Sequence, residues 1–213
     1  MSLADATVAT APRTTCVGPP FFFIRHGETD WNREGCLQGQ RDIPLNGRGR
    51  DQAMASGRIL RRLLAAKRRD AAVLDFVASP LGRARQTMEL MRQAMGLPPH
   101  AYRVDDRLTE IGFGAWEGMT WTEVAARDPA GYRARKRDKW HWTPPDGESY
   151  AAVAERVRPW LGTVADDSVV VAHGGVARAI LTLVTDLDPR GAPAIEISQG
   201  RVLALADGRA EWA

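Results

Sequence analysis

The sequence predicts an α/β fold: a three-layer sandwich with a largely parallel central sheet, helices on both faces and a small cap insertion. Short apolar runs typical of buried strands alternate with longer segments whose apolar residues recur at helical spacing. Strands separated by helices pair in parallel, and their helices cover both faces of the sheet. The 213 residues are 44% hydrophobic and 26% charged, which is enough to build one core and excludes global disorder.

The elements of the first half follow from local signals. Residues 21–24 form an apolar run that is right for a strand buried on both faces. A polar loop follows as far as about Asn46, which is expected to cap a helix that runs to about Arg69. The remaining elements of this half are expected to be a strand over 73–78, a helix over 81–95 closed by Gly96, and a short strand over 102–104.

The second half begins with a change of character. Residues 111–148 hold four tryptophans among glycine, proline and a cationic run, and we expect this cap segment to be an insertion rather than part of the sheet. Next come a helix over 151–164, a strand over 168–172 and a helix over 176–186, before a β-hairpin over 201–206 and 209–212 about an Asp-Gly turn.

Composition excludes several classes of partner. Lys and Arg number 29 against 26 Asp and Glu, and a net charge of +3 is weak ground for binding nucleic acid. The most apolar stretch, 169–184, is broken by His173, two glycines and Arg178, so no membrane span is expected. Residues 1–20 have no signal-peptide core and are expected to be a flexible leader before a domain over 21–213. The two cysteines indicate no disulfide framework, which favours a reducing, cytoplasmic setting.

Charged and imidazole side chains follow three of the predicted strands directly. Arg25-His26-Gly27 follows the first, Ser79 and Arg83 follow the second, and His173-Gly174-Gly175 follows the strand over 168–172. Ligands of parallel α/β sheets bind beyond the carboxyl ends of the strands, so these residues are expected to meet at one edge.

The chemistry suited to this set is phosphoryl transfer through a phosphohistidine. A neutral imidazole, with an ordinary pKa of about 6.5, is a competent nucleophile near pH 7. Arg25, Arg83, the second imidazole and the amides after His173 could stabilise the charge on the transferring group without a metal ion. A lone His-Gly is usually only a turn, but two of them after strands, joined by an arginine motif after a third, favour a functional site.

Five motifs in this order resemble the histidine phosphatase superfamily, also called phosphoglycerate-mutase-like, over about residues 21–206. They are Arg25-His26-Gly27-Glu28-Thr29 with Trp31-Asn32, Ser79-Pro80-Leu81-x-Arg83-Ala84-x-Gln86-Thr87, Leu108-x-Glu110-x-x-Phe113-Gly114-x-Trp116-Glu117-Gly118, Pro145-x-Gly147-Glu148-Ser149 and His173-Gly174-Gly175-x-x-Arg178. The resemblance implies one α/β domain with its catalytic pocket at the carboxyl edge of the sheet.

The resemblance also implies roles. His26 resembles the phosphorylated nucleophile, and Glu110 resembles the general acid. The phosphate pocket and further substrate contacts are expected to comprise Arg25, Arg83, His173, Asn32, Thr29, Gln38 and Gly174. No metal and no cofactor is expected, and the expected partner is a small phosphomonoester; oligomeric state is not predicted.

The glutamate motif of this chain differs from that of the cofactor-dependent mutases, and the difference indicates which branch of the family the chain resembles. The cofactor-dependent mutases typically read Glu-Arg-His-Tyr-Gly, whereas this chain reads Glu110-Ile111-Gly112-Phe113-Gly114 and has a short cap segment. These departures favour a metal-independent phosphatase over the alternative, a phosphoglycerate mutase. A non-catalytic phosphate-binding module is a remote alternative, because every catalytic position is filled.

Two glutamates, a cationic run and the tryptophans can each be interpreted either as structural or as part of the functional site. Glu117 and Glu148 either support the site or only hold the cap segment. The cationic run over 133–139 is either a solvated helix face or a source of side chains that select an anionic substrate. The tryptophans are expected to pack the cap segment, although Trp31 and Trp116 could instead wall the pocket.

Overall fold

The computed structural model describes residues 20–164 and 167–213. Within them the strands are β1 Phe21–Arg25, β2 Phe76–Ala78, β3 Arg103–Val104, β4 Ser168–Ala172, β5 Leu203–Ala206 and β6 Arg209–Trp212. The α-helices are α1 Asp30–Glu34, α2 Gly47–Ala66, α3 Gly82–Met95, α4 Trp121–Arg127, α5 Pro129–Arg137, α6 Tyr150–Leu161 and α7 Gly174–Val184.

One mixed sheet holds the strands in the order β3-β2-β4-β1-β5-β6. The pairs β2–β3, β2–β4 and β1–β4 are parallel, and β5 joins β1 antiparallel before turning back as β6. The predicted hairpin and the largely parallel sheet are therefore confirmed. Because β1, β2 and β4 run in the same direction, their carboxyl ends meet at one edge.

The two faces of β1 serve two different cores. Phe21 and Phe23 pack in a cluster with residues of α6 and α7, whereas Phe22 and Ile24 pack with residues of α2 and α3. Successive strand residues point to opposite faces, so a continuous apolar run fills both layers. The predicted three-layer architecture follows from this arrangement.

Two differences from the sequence prediction lie in the first half of the chain. The second strand begins at Phe76 rather than 73, because residues Ala71–Val73 form a short 3-10 turn capped by Asp70, and Val73 is 79% exposed. The predicted polar loop contains α1, which starts with a capping box at Thr29 and ends at Gly35 in the left-handed region, φ +77°.

The cap segment has a small core of its own. Trp116 is buried and stacks on Trp142 at a centroid distance of 4.6 Å, with the ring of Trp121 edge-on at 6.1 Å. Trp140 instead stacks on Tyr150 and joins the main core. Most of these tryptophans therefore pack the cap segment, as predicted.

The predicted flexible leader falls on residues 1–19, which lie outside the described residues, and on Pro20. In the described part of the chain, no helix combines the length and apolar character that a membrane crossing requires.

Candidate active site

A cavity of about 140 Å³ opens at the carboxyl ends of β1 and β4. Seven of the nine predicted site residues line it: Arg25, His26, Asn32, Gln38, Arg83, Glu110 and Gly174. His173 adjoins it, with its ring 5.1 Å from that of His26. A larger groove of about 620 Å³ between α6 and α7 contains none of them. The predicted residues thus converge on the smaller cavity.

One ring nitrogen of His26 is hydrogen-bonded to the backbone. Its Nδ1 lies 2.8 Å from the carbonyl oxygen of Gly27, and a carbonyl can only accept, so Nδ1 carries the proton. The lone pair of the neutral ring is then on Nε2. Burial, together with the positive charges of Arg83 and Arg25, holds the pKa of His26 well below its usual 6.5. The ring is therefore neutral and nucleophilic near pH 7.

The loop after β1 is fixed by close backbone contacts. A Cβ atom at Gly27 would collide with the carbonyl oxygen of Gly49 in the first turn of α2, and one at Gly49 would collide with that of Glu28. The amide of Gly27 donates to Thr87 Oγ1 at 3.0 Å, which ties the loop to α3 as well. Glycines at both positions allow the approach that holds His26 at the strand end.

Two buried guanidinium groups flank the imidazole. Arg25 donates from one terminal nitrogen to Ile197 O at 2.9 Å. Arg83 is 1% exposed and donates to the carbonyl oxygens of Arg41 and Gly39 at 2.6 and 2.8 Å. Burial lowers the pKa of both arginines from its ordinary value, and the Glu110 carboxylate opposes that shift. Their backbone partners fix two positive charges in the cavity that His26 also lines.

His173 is buried at the start of α7. Its Nε2 lies 2.6 Å from the hydroxyl oxygen of Ser79, which also accepts from the amide of Leu81 at 3.4 Å. If the hydroxyl donates its hydrogen to Nε2, the ring proton of neutral His173 lies on Nδ1. Burial, followed by the charge of Arg83, holds the pKa of His173 well below 6.5. A neutral ring with a proton on Nδ1 is a hydrogen-bond donor.

Glu110 reaches the cavity over a glycine. Its Oε1 accepts from the amides of Gly175 and Ile111, both at 3.0 Å. A Cβ at Gly175 would lie 2.5 Å from that oxygen and 2.6 Å from Ile111 Cγ2, so only glycine admits this contact. The two amides fix one carboxyl oxygen and leave Oε2 for a ligand.

Asn32 lies in the wall of the cavity, whereas Thr29 lies outside it. Asn32 lines the cavity, and its Oδ1 accepts from the Thr29 amide at 3.2 Å and from Gln199 Nε2 at 3.1 Å. Thr29 is fully buried, caps α1 through its hydroxyl and lies outside the cavity wall. The structure therefore shows a capping role for Thr29, and its substrate contact stays a prediction.

Several buried polar atoms of the site are unpaired within the described residues. They are Nε of Arg25, Nε of Arg83, Nδ1 of His173 and Oε1 of Gln38. A buried donor without a partner costs about 1–3 kcal/mol. The two guanidinium N–H groups are donors, and Nδ1 of His173 is a third donor when its Nε2 accepts from Ser79; such donors suit an anion with several terminal oxygens.

An extended segment, 195–199, buttresses the site and was not anticipated from the sequence. Ile197 O holds Arg25, and the Gln199 amide donates to both the His26 carbonyl and Asn32 Oδ1 at 3.1 Å. Ile195 O accepts from Arg178 Nε at 2.9 Å. Alternate residues face the site, but they form no motif, and only sheet pairing brings them beside β1.

The two glutamates left open have structural partners. Glu117 accepts from the amides of Gln40 and Phe113, and Glu148 pairs with Arg156 at 3.0 Å while accepting from the Gly112 amide. Both carboxylates hold loops of the cap segment, and neither lines the cavity.

A neutral imidazole in one cavity with two buried guanidinium groups suits one class of protein, the enzymes that transfer phosphoryl groups. The chain belongs to the histidine phosphatase superfamily (branch 1), and the sequence model of that family matches residues 21–213.

Relatives and solved structures agree with that family. The chain is 37% identical over 176 residues to a glucosyl-3-phosphoglycerate phosphatase of Mycolicibacterium vanbaalenii, covering 77% of this chain and 73% of the relative. It is 29% identical over 171 residues to a probable phosphoglycerate mutase of Salmonella arizonae, covering 78% and 74%. A mycobacterial glucosyl-3-phosphoglycerate phosphatase solved with VO3 superposes with a TM-score of 0.74 at 30% identity, covering 92% and 96%. The enzyme class, phosphoric monoester hydrolase, is shared with these phosphatases.

Proposed function

We propose that this chain hydrolyses a small phosphomonoester through a phosphohistidine on His26, without a metal ion. The observation that carries the proposal is the hydrogen bond from His26 Nδ1 to Gly27 O, which leaves the lone pair on Nε2 in a residue that lines one cavity with Arg25 and Arg83. In the first step the Nε2–P bond forms as the bond from phosphorus to the ester oxygen breaks. Arg25, Arg83 and the Nδ1 proton of His173 stabilise the charge on the three equatorial oxygens.

Glu110 is the proposed proton donor. Oε1 is fixed by two amides, so a proton on Oε2 is free to pass to the departing ester oxygen. In the second step a water molecule gives its proton back to Glu110 while its oxygen attacks phosphorus. The N–P bond breaks, inorganic phosphate leaves, and His26 returns to its neutral state.

Metal independence is supported by the residues that face the cavity. Its lining includes three arginines and one carboxylate, Glu110, whereas a metallophosphatase presents clustered carboxylates and imidazoles to its ions. The positive charge needed by the transition state is thus available from the chain itself.

The substrate is proposed only by class, as a small phosphomonoester. The mycobacterial relatives make glucosyl-3-phosphoglycerate the first compound to test. The relative named as a probable mutase keeps phosphoglycerate mutase as the second candidate. The predicted cytoplasmic setting and the absence of a nucleic-acid partner stay predictions.

Phosphate release across a panel of phosphomonoesters, with and without a chelator, tests the proposal. Reactions with labelled substrate are quenched in base, since a phosphohistidine is lost in acid, and label on His26 is expected. His26→Ala should abolish both turnover and labelling, whereas His100→Ala, at an exposed histidine, should change neither. Loss of activity to the chelator, restored by a divalent cation, would refute metal independence.

The same preparation separates hydrolysis from mutase activity. Given 3-phosphoglycerate and a trace of 2,3-bisphosphoglycerate, a phosphatase forms no 2-phosphoglycerate. Rapid formation of that isomer would replace the hydrolase proposal with the mutase.

A further inference from the structure

The cavity carries more positive charge than one phosphate group requires. Arg25, Arg83 and Arg178 line it together with a single carboxylate, Glu110. A phosphate dianion is matched by Arg25 and Arg83, which lie beside His26. Arg178 is a third guanidinium group, and the proposed chemistry gives it no part.

A backbone carbonyl orients the guanidinium group of Arg178, and the two terminal nitrogens of that group are left without a hydrogen-bond partner among the described residues. Its Nε donates to Ile195 O at 2.9 Å, which fixes the plane of the group. One terminal nitrogen lies 3.2 Å from the position that a Cβ on Gly174 would take, so it is packed against the start of α7. The two terminal nitrogens form no hydrogen bond with any described residue.

A fourth guanidinium group approaches from the cap segment. Arg135 lies on α5, with its guanidinium carbon 4.1 Å from the ring centre of Trp121. Trp121 in turn meets the edge of Phe113, a residue of the cavity wall, at 6.0 Å between ring centres. Arg135 is half-buried, whereas the other cations of the run, Arg133, Lys136, Arg137 and Lys139, are exposed.

Neither arginine has an acidic partner in the structure. Among the described residues, no carboxylate lies within 4.0 Å of Arg135 or Arg178. Burial lowers the pKa of Arg135, Tyr150 of the cavity wall opposes that shift electrostatically, and the positive charge of Arg178 adds to it. Two half-buried like charges without a counter-charge are unfavourable unless an anion joins them.

We propose that Arg135 and Arg178 form a second anion subsite beside the phosphate pocket, so that the preferred substrate is a phosphomonoester with a further acidic group. The inference rests on the proposed phosphatase function and names its substrate class. Planar guanidinium forks match a carboxylate or a phosphate in a bidentate manner, so either can supply the second charge. Arg178 is the half of this subsite that lines the cavity, and Arg135 supplies the second charge from α5, where it lies over Trp121 beside the cavity wall.

Matched substrate pairs test the subsite. 3-Phosphoglycerate differs from glycerol 3-phosphate by a carboxylate in place of a hydroxymethyl group, and fructose 1,6-bisphosphate differs from fructose 6-phosphate by a second phosphate. The quantity measured is the ratio of kcat/KM within each pair, for the wild type, Arg135→Gln and the control Arg133→Gln. Arg133 has the same charge, lies two residues away on the same helix and is exposed.

The wild type should prefer the doubly anionic member of at least one pair, and the pair shows whether carboxylate or phosphate is bound. Arg135→Gln should reduce that preference by about 10- to 100-fold, the usual effect of losing a hydrogen bond to a charged group. Arg133→Gln should leave the preference as in the wild type.

The outcomes separate two kinds of failure. A wild type that hydrolyses p-nitrophenyl phosphate but shows no preference in either pair, or the same preference in all three proteins, would overturn the subsite alone. A wild type that releases phosphate from no compound, p-nitrophenyl phosphate included, would overturn the proposed function and the subsite with it. The wild-type comparison needs no variant, so it stands even if Arg135→Gln folds poorly.

Discussion

The hydroxyl of Ser79 lies 2.6 Å from Nε2 of His173, at the point where the ends of β2 and β4 meet. Both side chains are fully buried, so no solvent competes for this hydrogen bond. It links the loop after β2 to the start of α7, and its direction determines which nitrogen of His173 is protonated.

Ser79→Ala should remove the donor that keeps the proton of His173 on Nδ1. We expect kcat for p-nitrophenyl phosphate to fall about tenfold or more and the free energy of unfolding to fall by about 1–3 kcal/mol, because Nε2 is left buried and unpaired. Nitrogen NMR of labelled histidine in the wild type should show His173 protonated on Nδ1. A wild-type spectrum with the proton on Nε2 would contradict the assignment.

Gln199→Glu tests whether the extended segment positions the phosphate pocket. The substitution keeps the shape of the side chain but replaces an N–H donor that serves both His26 O and Asn32 Oδ1. Asn32 should then turn from its present orientation, and we expect kcat/KM to fall about 10-fold, as for loss of two neutral hydrogen bonds. Steady-state kinetics on p-nitrophenyl phosphate provide the measurement.

The control for this variant is Gln93→Glu, at a residue of α3 outside the cavity wall. Equal kinetics in the wild type and Gln199→Glu would show that the segment is only a connection between α7 and β5.

Glu110→Gln should have an effect that depends on the leaving group. The amide oxygen can still accept from Gly175 and Ile111, but the side chain no longer supplies a proton. An alkyl phosphate, whose alkoxide leaves poorly, should lose about 10²- to 10⁴-fold in kcat, and p-nitrophenyl phosphate far less.

Glu117→Gln is the matched control, because its carboxylate holds the loops at Gln40 and Phe113 rather than a ligand. Similar losses for both substrate types in Glu110→Gln would assign that residue a shaping role.

Stability should fall in mild acid because of the two buried histidines. The pKa values of His26 and His173 are lowered in the folded state, so below pH 6.5 the unfolded chain binds protons that the folded chain does not. Stability is therefore full above pH 6.5 and decreases as the pH falls, by about 1.4 kcal/mol per pH unit for each histidine. Urea unfolding between pH 7.5 and 5 (about the range in which carboxylates stay ionised) measures this slope.

Histidine variants identify the source of the slope. His173→Asn should remove about half of it, whereas His100→Asn, at an exposed site, should leave it unchanged. A slope that survives in His173→Asn would mean that other groups titrate.

The sheet was accessible to sequence reasoning because its central strands are apolar on both faces. The runs over 21–24 and 169–172 are apolar at every position, which is typical of strands buried on both faces. The start of β2 was misplaced because Val73 is apolar, yet its side chain is 79% exposed on a turn. An apolar residue next to a strand does not reveal whether its side chain is covered.

The helices of the cap segment were missed although the sequence carries their start signals. Thr120 and Glu123 form the capping box of α4, and Asp128 with Pro129 opens α5. Both helices are short and pack around tryptophans, so no long helical period marks them.

The site was predictable where a motif joins side chain and strand end, as for His26, Arg83 and His173. Gln199 and Ile197 act through one amide side chain and one backbone carbonyl, and such contacts leave no pattern in the sequence. Arg135 was visible only as one cation in a run of five, and its distinction is that it alone is half-buried.

The position of β1 between β4 and β5 has a consequence for how the protein matures. Strand β1, which ends just before His26, pairs with residues 168–172 and 203–205, at the opposite end of the described chain. Such distant pairing makes the closing of very long loops a condition of forming the sheet, and chains of this kind fold slowly. During synthesis, Arg25 and Asn32 therefore gain the hydrogen bonds of Ile197 and Gln199 only after the segment 195–199 has left the ribosomal exit tunnel.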